Sequence, residues 1–518
     1  MAVPSTADPA VVGIDLGTSS VKAVVITAAG QVLAQAGAAY PVSTPRPGWS
    51  ETDPQAWLDA TVGVVRTAVA QARVTPVGIG LSGQMHGLVL ADESGKPLRP
   101  AMLWSDARAV AELAVYQALP ASVRARLANP LSPGMAGPML AWVAAAEPGV
   151  YASTRWALQP KDWLRAQLTA RFDSEPSDAS ATLLYDLRGA EWDREVLAAL
   201  GIRDDLMPAI LPSSGTRAGK LTADLARILD LTPGIPVAAG AADTAAAMLG
   251  SGLTDPNTAQ LTIGTGAQLV RPVTALPDPL PARPVSHLYR TATGSGWYRM
   301  GAVLNGGLTL SWVCRVLGAS WPELYAAADA APRPDDPYFL PHLNGERTPY
   351  LDPGLRGAWT DLNPRHQRSD LLRAALEGVA FAIGDALPHV LQPSDRVDHL
   401  RLAGGGTTDP AWRQLLADVL GYGLAPVEVS AASGLGAGLL ALVAADLTDE
   451  ATLLVRGPVE AEVVARSRPA YQQLYQQRQL AFTEKVQALR SRQLERSAPP
   501  ASCPGGGTDH QHSPPERP

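Results

Sequence analysis

Val11-Val-Gly-Ile-Asp-Leu-Gly-Thr-Ser-Ser-Val-Lys-Ala-Val-Val-Ile26 begins as an apolar run, turns at Gly17-Thr18-Ser19-Ser20 and returns as a second Val-rich run. The pattern predicts a buried strand, a tight turn and a second strand. Asp15 stands near the end of the first strand and Lys22 just inside the second. Gly17 allows a backbone N–H to approach an anion, and Thr18 with the serines beside it can donate to phosphate oxygens. A carboxylate at a strand end suits a hydrated Mg²⁺, which takes few protein ligands. Together these features fit a nucleotide-phosphate hairpin; a P-loop would follow its glycines with a helix. From this stretch alone an ordinary hairpin with a polar turn reads equally well.

A second copy favours the phosphate reading. Thr258-Ala-Gln-Leu-Thr-Ile-Gly-Thr-Gly-Ala-Gln-Leu-Val-Arg271 has the same strand–turn–strand form, with Gly264, Thr265 and Gly266 at its turn. Two such hairpins across a cleft could hold a triphosphate from both sides. Duplication on this scale implies two similar domains, since solenoid repeats are shorter. A third cluster, Gly404-Gly405-Gly406, follows the apolar strand 399–403 and precedes a helix starting near Asp409-Pro410. Its glycines allow close approach to a flat ligand such as adenine; a plain strand-to-helix turn is the alternative.

The chain has 518 residues, enough for two or three domains. It is 46% hydrophobic and 18% charged, a globular composition. Its 42 Lys and Arg against 49 Asp and Glu leave a net charge of −7, which argues against nucleic acid as a partner. No apolar run reaches the length of a membrane span, and the first ten residues lack a signal-peptide pattern. Two cysteines, Cys314 and Cys503, make no disulfide framework, so a cytoplasmic location is expected.

Along the chain, Gln31–Ala39 reads as a third strand, completing an antiparallel meander. Asp53-Pro54 starts a long amphipathic helix to about Arg73, with Asp as N-cap and Pro in the first turn. Val77–Ser82 and Leu88–Ala91 read as short strands around a polar loop, and Ala/Leu-patterned helices fill much of 107–230. A strand near 233–243 ends in a glycine-bearing turn, and a helix Thr244–Gly250 follows. The second half repeats the order, with strands at 259–271, Trp297–Leu304, 399–403 and Ala425–Val429 and a helix from about Ser433. Such alternation predicts an α/β protein with a mixed sheet in each half. From roughly 491 the composition turns to Ser, Pro, Gly, Gln and His, and this tail is expected to be disordered. The expected division is a flexible N-terminus (1–10), an N-terminal domain (11–247), a C-terminal domain (248–490) and the tail (491–518).

Ser82-Gly-Gln-Met-His-Gly87 places Gln84, Met85 and His86 in a strand-end loop, where an amide and an imidazole supply directional hydrogen bonds to a polyol. Trp104-Ser-Asp-Ala-Arg108 offers an aromatic platform (Trp104), a carboxylate for hydroxyls (Asp106) and an arginine to hold it (Arg108). Either stretch also reads as a satisfied surface loop. Asp243 is the candidate base: it lies ahead of a helix N-terminus, where the dipole is expected to keep a carboxylate ionised. Phosphoryl transfer needs positioning, charge neutralisation and a base for the attacking hydroxyl. A simple helix N-cap describes the same sequence. Gly215–Lys220 is one residue short of a Walker A spacing and is rejected. Gly434-Leu-Gly-Ala-Gly438 reads as close helix packing, and the histidines show no metal-ligand spacing.

The motif set resembles the FGGY carbohydrate kinases, and within them the xylulose branch. The resemblance runs from about Val11 to about Gln476 and includes Asp15–Thr18, Gly48–Glu51, Ser82–Gly87, Trp104–Arg108, Pro160–Arg165, Ser177-Asp178, Gly264-Thr265, Gly345–Pro349, Glu377–Val379, Gly404–Gly406 and Trp412–Asp418. It implies two actin-like (ribonuclease-H-like) ATPase domains with mixed sheets and a central cleft that closes on ATP and a sugar. Asp243 would activate the 5-hydroxyl of D-xylulose, Gln84, Met85 and His86 would line the sugar, and Asp15 would hold Mg²⁺ through water. Gly17, Thr18, Lys22, Gly264, Thr265 and Gly266 would surround phosphates, and Gly404, Gly405 and Gly406 would border the adenine. A homodimer is left open by the resemblance. Four departures stand out: Thr244 replaces the family's usual Asn after Asp243, Met139 stands where Lys is common, Ala241-Ala242 replace glycines, and Gly266 replaces a common serine. Thr244 and Met139 leave room for another polyol such as ribulose or gluconate, and a non-catalytic actin-like regulator is the reading from a different class.

Overall fold

A computed structural model describes residues 8–392, 394–427, 431–455 and 462–497. The opening stretch forms β1 (Ala10–Leu16) and β2 (Ser20–Thr27), and β3 (Val32–Ala39) completes the meander. Helix α1 (Pro54–Ala72) starts at Asp53, whose carboxylate accepts the N–H of Gln55 at 3.0 Å, and ends where Arg73 turns left-handed at φ 55°. Strand β4 (Pro76–Gly83) then runs parallel to β1. After the helix α2 (Pro160–Thr169), strands β5 (Arg217–Lys220), β6 (Pro236–Ala238) and β7 (Ala241–Ala242) complete a seven-stranded mixed sheet, and α3 (Asp243–Gly250) follows directly.

The second sheet contains β8 (Ala259–Ile263), β9 (Ala267–Val273), β10 (His287–Arg290) and β11 (Trp297–Val303). Beyond α4 (Gly307–Leu317) and α5 (Arg368–Ala386) come β12 (His399–Ala403), α6 (Pro410–Leu420) and β13 (Gly423–Pro426). The neighbour order β3-β2-β1-β4-β6 in the first sheet recurs as β11-β9-β8-β12-β13 in the second. Each is an antiparallel three-strand meander continued by two parallel strands. The duplication read from the two Gly-Thr hairpins is thus a duplication of whole sheets.

Each sheet has its own apolar core, and a third cluster joins the halves. That junction is built from α7 (Ala432–Ala444), which lies on β1 and β4 of the first sheet and along α3. It can do so because glycines let backbones touch: a Cβ on Gly13 would lie 2.0 Å from the Gly434 carbonyl, and one on Gly80 only 1.9 Å from that of Ala437. Gly250 and Gly436 allow the same approach between α3 and α7. The Gly434–Gly438 stretch is therefore close helix packing. The division expected at 247/248 falls inside α3, and α7 crosses back onto the first sheet, so the two halves interlock.

The helix α8 (Pro469–Ser497) extends past residue 491, where the composition predicted the tail to begin. Residues 498–518, most of the expected tail, lie outside the described residues, as do 428–430 at the end of the strand expected to reach Val429. Among the described residues no helix is long and apolar enough to cross a membrane.

Candidate active site

Three parallel strand ends create the site. Asp15 pairs in register with Ser82, and Ala241 pairs with Ser82 from the other side. Asp15, the loop Gln84-Met85-His86 and Asp243 therefore leave the sheet at one carboxyl edge, where α/β sheets bind ligands. Ser82 Oγ donates to Asp15 Oδ1 at 3.2 Å. Across β1 and β2, Lys22 is the direct partner of Asp15 and shares its face. Burial raises the Asp15 carboxyl above its ordinary range, with Ser82 and Lys22 opposing.

Asp243 is the first residue of α3 and not its N-cap, which is Ala242. Its Oδ1 accepts the N–H of Thr244 at 2.5 Å and the Thr244 hydroxyl at 3.1 Å. The helix terminus was expected to favour the ionised carboxylate; in the structure opposing effects outweigh it, although the group still carries its charge at neutral pH. Burial in the cleft, then the nearby Asp15 charge, push its pKa up to about 6 despite the two bonds from Thr244. One eight-residue helix end is too weak to offset desolvation plus a like charge.

The chain leading to Asp243 is clamped from beneath. Ala242 N–H donates to Ser177 Oγ at 2.9 Å, and that hydroxyl donates to Glu175 Oε1 at 2.7 Å. Lys161, fully buried on α2, places its ammonium 2.6 Å from Asp162, 3.3 Å from Asp178 and 3.6 Å from Glu175. Arg165 donates to the Ala239 carbonyl at 2.7 Å. The Pro160–Arg165 and Ser177-Asp178 motifs, which carried only resemblance in the sequence, thus hold the segment that presents Asp243, the candidate base. A lysine in a chain with few of them was the one available signal.

Among the sugar-loop candidates, Gln84 is buried, and its Nε2 donates to the Gly17 carbonyl at 3.2 Å, bracing the first hairpin. Its Oε1 is buried without a partner among the described residues. Met85 packs under the Tyr298 hydroxyl, 3.8 Å from its sulfur. His86 adopts φ 72°, costly for a residue with a Cβ, and its Nδ1 lies 2.7 Å from the Ala181 carbonyl. A carbonyl only accepts, so Nδ1 carries the proton and Nε2 is left as an acceptor. Burial lowers the His86 pKa to about 4, so the ring is neutral at physiological pH. Trp104 Nε1 donates to Thr18 Oγ1 at 2.9 Å, joining the sugar loop to the phosphate turn.

Asp106 and Arg108 require a correction. Arg108 does hold Asp106, but the carboxylate also accepts Ser50 N–H at 2.8 Å and Arg108 N–H at 2.9 Å, and it is 1% exposed. Arg108 is packed against Trp49 and paired with Glu51. The Asp106 oxygens are thus committed to protein donors and the pair forms a buried strut, with Arg108 Nη1 left without a partner among the described residues. Met139 is fully buried in the helical core, and Thr244 directs its hydroxyl at Asp243. Neither departure that left the sugar open therefore presents a new polar group to it.

In the second half, Thr262 pairs in register with Ala403, which sets Ile263 beside Gly404 and brings the two glycine turns together. Gly404 has φ 97°, and a Cβ there would lie 2.3 Å from the Ile263 carbonyl; Gly405 faces open space. The Gly264 carbonyl accepts Gly307 N–H at 2.9 Å, and the Thr265 carbonyl accepts Leu308 N–H at 3.0 Å, so the start of α4 supports this turn. A serine at Gly266 would bring its Cβ within 2.5 Å of the Val303 carbonyl, so glycine suits this backbone.

Four residues facing the sugar loop from the second half were not singled out in the sequence. His287 Nδ1 is 2.7 Å from the Tyr289 hydroxyl and the two rings stack; Tyr289 lies 6.0 Å from the His86 ring. Tyr298 covers Met85, and the Arg347 guanidinium lies 5.4 Å from the Trp104 ring centroid. Isolated aromatics on strands give no local signal of a site; only Arg347 belonged to a motif.

Comparison with known proteins accounts for this arrangement. Residues 10–250 match the model of the N-terminal domain of the FGGY family of carbohydrate kinases, and residues 259–445 match that of its C-terminal domain. The xylulose kinase of Escherichia coli (strain K12) is 35% identical over 418 residues, 80% of this chain and 85% of that protein. The crystal structure of a xyloylose kinase from Brucella ovis is 34% identical, with a TM-score of 0.86 over 93% of this chain and 99% of that one. A gluconate kinase from Lactobacillus acidophilus shares the fold at a TM-score of 0.87 with 22% identity, over 95% of this chain and 100% of that one. Both family domains, in order and carrying the duplicated hairpins with an acidic residue between them, place this chain in the FGGY family of carbohydrate kinases.

Proposed function

We propose that this protein is an ATP-dependent kinase of D-xylulose that makes D-xylulose 5-phosphate. The observation that carries the reading is Asp243: a carboxyl poised near pH 6, beside Asp15 and the Met85–His86 wall, on a rigidly supported strand end. A base matched to the working pH is what proton removal from a hydroxyl requires. Asp243 takes the proton of the 5-hydroxyl as O5 attacks the γ-phosphorus; the bond from that phosphorus to the β–γ bridging oxygen breaks, and ADP leaves. The Gly17-Thr18 and Gly264–Gly266 turns hold the phosphates, with Gly404–Gly406 at the adenine. His86 Nε2 accepts from a sugar hydroxyl and Met85 packs on the carbon skeleton.

The donor set suits Mg²⁺. Asp15 is one carboxylate near the phosphate turn, and among the described residues no group of three or more His, Cys, Asp or Glu forms a cage of its own. Mg²⁺ takes one or two carboxylates plus substrate phosphates and keeps its waters, and it neutralises phosphate charge when bound. Asp15 would hold it through water. Use of ATP as phosphoryl donor supports the expected cytoplasmic location.

Resemblance of fold leaves gluconate and other polyols as the competing reading, but Met139 is buried in the core and Thr244 is bonded to the base. The test is coupled ADP release with Mg-ATP against D-xylulose, L-xylulose, D-ribulose, L-ribulose, gluconate and glycerol. Clear preference for D-xylulose is expected. Preference for another polyol moves the specificity while keeping the mechanism, and no turnover on any of them overturns the D-xylulose assignment in favour of an untested sugar or the regulatory reading.

A further inference from the structure

The loop Gly345–Pro349 belongs to the sequence motifs, yet the chemistry above leaves it without a role. Its backbone is held firmly. Glu346 Oε1 accepts Leu304 N–H at 2.7 Å and Arg347 N–H at 2.9 Å, while Thr348 N–H donates to the Ala302 carbonyl at 2.9 Å. From this fixed base the Arg347 side chain reaches the other half of the molecule. Its guanidinium lies over Trp104, whose indole N–H is bonded to Thr18 of the phosphate turn, and the two imidazoles closest to its charge, His86 and His287, are both kept neutral, mainly by burial.

We propose that Arg347 is the contact from the second half to the phosphoryl group in transit, donating to its oxygens during transfer and to the phosphate of the ketose phosphate afterwards. The proposal rests on the sugar-kinase reading above. Charge accounting supports it. Several buried arginines elsewhere in the molecule have carboxylates: Arg108 has Asp106, Arg165 has Asp162, and Arg373 and Arg478 share Glu377, while Arg401, which has none, at least donates to the Ser251 carbonyl. The partly buried Arg347 guanidinium has no ion pair or hydrogen bond among the described residues. The neighbouring Glu346 has both oxygens committed, to Leu304 N–H, Arg347 N–H, Asn305 Nδ2 and His342. Burial disfavours this lone cation, and an anion brought by the reaction would relieve it. A neutral ketose brings no charge. The phosphoryl group does, and a guanidinium matches its oxygens in a two-pronged geometry. Arg347 stands between the His86 side and the Trp104–Thr18 contact, where the oxygens pass on their way to the sugar.

The test uses the full chain with Arg347→Gln and Arg347→Lys, by calorimetric titration with D-xylulose 5-phosphate, D-xylulose and Mg-ADP, and by steady-state kinetics. For Arg347→Gln the affinity for D-xylulose 5-phosphate should fall about tenfold to hundredfold. Affinities for D-xylulose and Mg-ADP should hold within about twofold, and kcat should fall about 100-fold. Arg347→Lys, which keeps the charge and loses the fork, should recover part of both losses and guards against a folding defect in the first variant. Equal loss for the sugar and its phosphate, loss confined to Mg-ADP, or unchanged product affinity would each overturn the proposal. Wild-type enzyme idle on D-xylulose would instead remove the functional reading on which it rests.

Discussion

Asp243→Asn should make the protein inactive and, above neutral pH, more stable. The magnitude follows from the carboxyl pKa, raised from 3.8 to about 6 by burial and by Asp15. Each unit is worth 1.36 kcal/mol, so the ionised side chain costs about 3 kcal/mol at high pH, an upper figure because the group keeps some contact with water. The sign is that of a raised acid. Its favourable protonated state is intact below the unfolded pKa and is lost as pH climbs through about 6, so the cost is full above about pH 7. Asparagine stays neutral throughout and keeps the oxygen that accepts from Thr244. Calorimetric melting of both proteins at about pH 8, 6 and 4.5 is the assay, with the variant melting higher at the alkaline end and the gap closing toward acid.

The same group governs the rate. For the wild type, kcat/KM for D-xylulose should rise through an apparent pKa of about 6 and level off above it. A Mg²⁺ ion held by Asp15 favours the charged carboxylate, so the acid limb of kcat lies at lower pH than that of kcat/KM. Turnover of Asp243→Asn should fall by at least about 100-fold, with nucleotide affinity largely retained. A variant that melts no higher than wild type at about pH 8, or by a margin that does not change with pH, would refute the reasoning, because the cost would not then come from ionisation.

Asp106→Ala separates a strut from a sugar ligand. It strands Arg108 and the Ser50 N–H, so a stability loss of about 3 kcal/mol or more is expected in urea denaturation, while KM for D-xylulose of the folded protein stays within about twofold. A raised KM without lost stability would restore the substrate role. Gly80→Ala puts a methyl 1.9 Å from the Ala437 carbonyl, and about 3 kcal/mol of destabilisation should follow as α7 is pushed off the sheet. An unchanged urea midpoint would show that α7 yields freely.

The residues legible in advance were those whose chemistry is local. A glycine beside hydroxyls between two apolar runs predicts a tight turn whatever surrounds it, and both hairpins and the Gly404–Gly406 turn stand where the chain pattern put them. The carboxylate of Asp106 was misread because sequence shows that a charge is present and not which N–H groups have already claimed its oxygens. Asp243 was singled out, but the direction of its pKa shift was not legible: a helix start can be read along the chain, whereas the burial and the Asp15 charge that outweigh it come from other strands.

By itself the sequence determined the family and the duplicated α/β plan and singled out Asp243 and the two Gly-Thr turns, because each motif is local and their order along the chain is fixed. Tertiary structure decided the rest. It locked the halves together through α7 on Gly13 and Gly80, set the buried Lys161 cluster beneath the base, and brought Tyr289, Tyr298 and Arg347 to the sugar loop. Those contacts join residues separated by up to several hundred positions, and burial, charge and hydrogen-bond capacity at such sites depend on neighbours that only the closed fold supplies.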